Sequence, residues 1–66
     1  MKYKAIVSWC KLMGSADYWI DEQIKKATTD KAPETAVFKK DGEWVRFEDL
    51  PEFNQFRMRK YYGYDG

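Results

Sequence analysis

The chain has no histidine, one cysteine, two prolines and four glycines, and its charges almost cancel, with 12 basic residues against 11 acidic ones for a net +1. Each shortage excludes something. Without histidine the commonest general base is missing, and Ser8 and Ser15 have no base of the usual kind. A lone Cys10 closes no internal disulfide, whereas small secreted domains lean on several bridges; a reducing, cytoplasmic setting is expected. Nothing near Cys10 in sequence is suited to depress its pKa, so it reads as a small buried apolar residue. A transition-metal site needs clustered His or Cys ligands, and one cysteine does not supply them. Glu48, Asp49 and Glu52 form the one close group of carboxylates, but without calcium-loop spacing, and they read as helix capping on a solvated edge. The glycines are isolated turn residues, so no phosphate-cradling loop is present. No cofactor is expected. The balanced charge argues against a wholly basic nucleic-acid-binding domain. No apolar run approaches the ~20 residues of a membrane span, and Lys2 and Lys4 interrupt the opening stretch where a signal peptide would be apolar.

Aliphatic side chains are scarce too. Ile, Val and Leu together number 8, against 12 aromatic residues. A core here must be largely aromatic. A chain this short buries only about 60% of its unfolded surface, and each aromatic asks for roughly 150–250 Å² of burial. Several rings are therefore expected at the surface, and a sizeable enzyme pocket is not expected.

What is present gives a local pattern. Over residues 3–10, Tyr3, Ala5, Val7 and Trp9 alternate with Lys4, Ile6, Ser8 and Cys10, which predicts a strand, partly apolar on both faces. Ser15 reads as an N-cap for a helix over residues 16–27, with Asp17 in its first turn and Ala16, Ile20, Ile24 and Ala27 on one stripe. Trp19 lies beside that stripe and Tyr18 leans to solvent. Residues 35–38 and 44–47 flank Asp41-Gly42, a hairpin signal. Two registers compete: a two-residue turn pairs Phe38 with Val45, and a three-residue turn with Gly42 left-handed pairs Phe38 with Trp44. Asp49 and Glu52 resemble a capping box opening a second helix, which Gly63 ends. In that helix Leu50, Phe53 and Tyr61 cluster, whereas Phe56, Met58 and Tyr62 spread around the cylinder. Residues 1–66 thus read as one small α+β domain of order β-α-β-β-α. A three-stranded, largely antiparallel sheet packs against two helices, and residues 63–66 form a loose tail. Tyr3, Trp9, Phe47 and Phe53 are the expected aromatic core.

Two surfaces carry the functional expectation. From Phe56 to Tyr64, Arg57, Arg59 and Lys60 interleave with Phe56, Tyr61, Tyr62 and Tyr64. On the hairpin, Trp44 and Arg46 share a face. Trp, Tyr and Arg are the side chains enriched in protein-binding hot spots, so Trp44, Arg46, Arg57, Arg59, Lys60, Tyr61 and Tyr62 are the expected partner-binding residues of a non-enzymatic protein-binding module. Small free-standing proteins are often carried by phages or other mobile elements to occlude a host protein or defence complex, and such an inhibitor is the expected role. A protein partner comes first, and self-association is a further option. The alternative is a single-stranded nucleic-acid-binding protein, because bases stack on rings while cations track phosphates.

Overall fold

A computed structural model describes residues 2–66 and replaces the expected order with helix, helix, hairpin, helix. Helix α1 spans Lys4–Leu12, α2 Asp17–Thr29 and α3 Glu52–Tyr62; strands β1, Ala36–Phe38, and β2, Trp44–Arg46, form a two-stranded antiparallel sheet. A single 3-10 turn, Phe47–Asp49, leads from β2 towards α3. The expected three-stranded β-α-β-β-α sheet is therefore wrong, because its first strand is a helix.

The reason lies in how α1 is buried. Ala5, Trp9 and Leu12, at i, i+4 and i+7, pack with Val37, Val45, Phe47, Leu50, Met58 and Tyr64 in one cluster. Ile6 and Cys10, with Tyr3 and Val7 beside them, pack with Ile20, Ile24, Ala27, Ala32, Ala36 and Trp44 in a second. Only a narrow wedge carrying Lys4 and Lys11 faces solvent. A helix apolar almost all round is a central, buried helix, and its sequence alternates as acceptably at period two as at period 3.6. Ile6, Val7 and Trp9 added strand propensity to that ambiguity. The exit of α1 is built from backbone alone: Gly14, at φ 77°, lets its N–H reach the Lys11 carbonyl at 3.1 Å and the Ser15 N–H reach the Cys10 carbonyl at 2.8 Å, the paired bonds of a Schellman end.

Helix α2 lies where it was expected, but Ser15 does not cap it. The N-cap is Ala16, with no side-chain bond, and the Ser15 backbone N–H serves the exit of α1. The exit of α2 repeats the Schellman pattern, with Lys31 forced to φ 56° so that Ala32 N–H reaches the Ala27 carbonyl at 2.9 Å. In the hairpin Phe38 pairs with Trp44. Gly42 at φ 85° donates to the Lys39 carbonyl at 3.0 Å, and Lys39 N–H donates to Glu43 O at 2.9 Å, which is the three-residue turn with its left-handed glycine. The strands present Val37 and Val45 to the first cluster and Ala36 and Trp44 to the second, so both faces of the small sheet are covered.

Two further expectations fail. Asp49 does not cap α3: Pro51 is the N-cap and no side chain bonds there, because the 3-10 turn takes up Asp49. Residues 63–66 are not a loose tail. Tyr64 is only 4% exposed, its ring lies 4.2 Å from that of Phe47, and its N–H donates to the Met58 carbonyl at 3.1 Å. Lys4 Nζ holds Asp65 at 3.1 Å, and Gly66 lies so close to the Tyr64 phenol that a Cβ there would meet its oxygen at 2.7 Å. Burial accounts for this: with few aliphatic side chains to cover Phe47, which is fully buried, Tyr64 packs over it.

Candidate interaction face on the third helix

Helix α3 turns its richest side outward. Its last turn carries Arg59 and Lys60 and its first turn Glu52, both favourable to the helix dipole, and Gly63 at φ 73° ends it. The inward side is modest. Met58 is fully buried, Asn54, Gln55 and Tyr62 are half-buried, and the Gln55 amide donates to the carbonyls of Leu50 at 2.8 Å and Glu48 at 3.2 Å. Those two bonds fasten the helix to the chain that precedes it and set its rotation.

With that rotation fixed, Phe53, Phe56, Arg57, Lys60 and Tyr61 fall at i, i+3, i+4, i+7 and i+8, a single stripe on the opposite side, with Arg57 half-buried and the other four exposed. The three rings are exposed by 68%, 52% and 63% for Phe53, Phe56 and Tyr61. The cations lie on them. Arg57 sits 5.7 Å from the Phe53 ring centre, and Lys60 lies 5.3 Å from Phe56 and 5.5 Å from Tyr61, within the ~6 Å reach of cation–π attraction. Among the described residues the ion pairs are Lys2–Glu34 and Lys4–Asp65, so neither Arg57 nor Lys60 is matched by a carboxylate. The stripe is aromatic and cationic, with Glu52 at its edge one turn before Phe56.

The structure divides the residues singled out from sequence. Arg57, Lys60 and Tyr61 belong to the stripe. Arg59 lies on another side of α3, 4.9 Å over the buried Phe47 ring. Tyr62 is half-buried, with its carbonyl 3.5 Å from the Ser8 hydroxyl of α1. On the hairpin, Arg46 is exposed, while Trp44 is half-buried in the second cluster, tilted against Phe38 at 4.9 Å, with its indole N–H on Asp30 at 3.2 Å. Helix α3 packs on the first cluster through Met58, and Trp44 packs on the second. Phe53, expected in the core, is the stripe member that sequence reasoning missed; Phe56 lay in the segment singled out but outside its expected binding residues. Their spacing with Arg57, Lys60 and Tyr61 was the available signal, but the side that faces inward is chosen by the Gln55 bonds and Met58.

The rest of the surface offers little chemistry. Burial pushes the Cys10 thiol above its ordinary value, partly offset by a hydrogen bond with the Ser15 side chain, which disfavours the reactive thiolate. Among the described residues no group of three His, Cys, Asp or Glu side chains is placed to hold a metal ion, and no helix is long and apolar enough to cross a membrane. No protein-family model, curated protein or solved structure matches the chain.

Proposed function

We propose that the chain is a non-enzymatic protein-binding module that works through the stripe on α3, with a partner whose contact surface is apolar and edged with carboxylates. The carrying observation is the exposure of Phe53, Phe56 and Tyr61 on one helical face, beside two cations that make no ion pair among the described residues. A free helix face with anchors at i, i+3, i+4 and i+7 fits the helix-in-groove mode of recognition, and exposed apolar patches of this kind mark interaction sites. The rings supply burial, Arg57 and Lys60 meet the partner's acids, and the partner's own surface is occluded in consequence. Self-association through this face is disfavoured, since two copies would oppose cations to cations. The free, buried thiol of Cys10 suits a reducing compartment, and the cytoplasm belongs to this reading.

The same alternation of rings and cations favours single-stranded nucleic acid as a second reading. With two cations on the stripe, such binding would be weak and would lose affinity with salt at a slope of about −1.4, near −0.7 per phosphate neutralised.

Both readings are tested by capture from lysate, with and without nuclease, using the native chain and a Phe56→Ser/Tyr61→Ser variant. These side chains are exposed, so the variant should keep the fold to within roughly 0.5 kcal/mol per site, checked by circular dichroism. A protein held after nuclease treatment and lost with the variant supports the proposal. Capture that the variant leaves unchanged overturns it, and capture that disappears with nuclease transfers the face to nucleic acid.

A further inference from the structure

A second feature stands apart from the stripe. The end of α1, the first turns of α2 and the hairpin turn frame a cavity of about 330 Å³, at the small end of the ~300–1,000 Å³ range of ligand sites. Its walls are Ile6, Trp9, Trp19 and Phe38, with Cys10 and Gln23 also lining it. No residue of α3 contributes. Trp19 remains 44% exposed here, so one indole forms a wall left largely uncovered by the described residues.

Two observations specify an occupant. Lys39 and Lys40 from the hairpin turn line the cavity and no carboxylate does; Asp41 enters only in an adjoining groove that shares Trp9, Phe38 and both lysines. Charge complementarity therefore asks for an anion. The second is Gln23, only 6% exposed, whose Oε1 is buried without a hydrogen-bond partner among the described residues. A buried acceptor left unpaired is costly; Gln23 lines the cavity, and rotation about the soft terminal torsion of its amide turns Oε1 to an N–H or O–H donor of an occupant.

We infer that this cavity is a binding site for a small, flat aromatic carboxylate carrying a hydrogen-bond donor. Its ring lies among Trp9, Trp19 and Phe38, its carboxylate meets Lys39 and Lys40, and its donor serves Gln23. Binding is non-covalent, and Cys10 forms part of the wall only.

Indole-3-acetate is a suitable probe, because it has the flat ring, the N–H and the anion. The experiment is an ¹⁵N NMR titration of the native chain that follows the indole N–H signals of Trp9 and Trp19. Saturable shifts in both are expected, with a Kd below about 1 mM. Indole-3-acetamide, which lacks the charge, and 1-methylindole-3-acetate, which lacks the donor, should each bind about fivefold more weakly, the size of one lost hydrogen bond or ion contact. Lys39→Gln/Lys40→Gln, confined to the turn surface, should weaken indole-3-acetate and leave the acetamide unchanged. Shifts still linear at about 5 mM overturn the inference. Equal affinity for all three probes also overturns it, since that would be adhesion to exposed indoles rather than recognition.

Discussion

Substituting Tyr64 in two ways separates its ring from its hydroxyl. The ring is 4% exposed and stacked at a 54° tilt on Phe47. A tyrosine buries roughly 150–250 Å², which at about 25 cal/mol per Å² amounts to roughly 4–6 kcal/mol, an upper limit because unfolded chains are partly collapsed. Tyr64→Ala should therefore cost about 3–5 kcal/mol, as other buried aromatic truncations do. A domain of this length has in total about 3–10 kcal/mol, so the variant should be largely or wholly unfolded at 37 °C. Tyr64→Phe keeps the ring and removes a hydroxyl that is buried without a partner among the described residues. It should be neutral or stabilising by up to about 1 kcal/mol. The two variants also differ in alkali. Burial, then the charge of Glu48 and to a lesser extent Asp65, hold the phenol above its ordinary 10.0, with Arg59 opposing. Above that pH the unfolded chain releases its proton first, so stability present below it is lost as pH rises through the folded value. Tyr64→Phe removes this part of the alkaline loss and leaves the part that begins above 9.0 from Cys10. Urea unfolding followed by tryptophan fluorescence, at pH 7 and across pH 9–11, measures all of this. A Tyr64→Ala midpoint within about 1 kcal/mol of the native one would refute the packed tail, and an unchanged alkaline slope in Tyr64→Phe would refute the buried phenol.

Lys31 is held at φ 56° by the exit of α2, a conformation that costs a side-chain-bearing residue about 1–2 kcal/mol; Lys31→Gly should raise stability by about 0.5–1 kcal/mol, and an unchanged or lower urea midpoint would count against the left-handed exit. Trp44→Phe keeps a ring beside Phe38 but loses the bond to Asp30. That bond is exposed, so the expected cost is about 0.5–1 kcal/mol, a fall in Tm of roughly 4–8 °C per kcal/mol, and a melt unchanged from native would show that the bond contributes nothing.

The hairpin was legible because Asp41-Gly42 is punctuation that acts over a few residues, and Gly42 alone distinguishes the observed register. Helix α2 and the Gly63 exit were legible for the same local reason. Helix α1 was not, because Ala5, Trp9 and Leu12 serve one cluster while Ile6 and Cys10 serve another, which erases the single polar face that announces a helix. Asp49 and Ser15 had the chemistry of caps, yet the 3-10 turn takes up Asp49, and Ala16 rather than Ser15 is the N-cap of α2. The rotation of α3, and with it the solvent-facing Phe53 and Phe56, depends on Gln55 reaching back to Leu50 and Glu48. A period computed from α3 alone contains both faces and does not say which one the rest of the chain will accept.

The two clusters differ in when they become available. All six buried members of the second, from Ile6 to Ala36, lie in the first 36 residues, whereas the first cluster must gather Ala5 and Tyr64, far apart in sequence. A chain leaving the ribosome therefore holds the material for one half of its interior well before the other half exists. Helix α1 is shared by both, so until residue 64 emerges it rests on one neighbour with its Ala5–Trp9–Leu12 side bare. Closing that side joins partners such as Lys4 and Asp65, 61 positions apart, and loop-closure entropy places such contacts late. The last few residues act as the latch of the fold, so a change of chain length there would be felt at Phe47, Met58 and Lys4, which hold Tyr64 and Asp65.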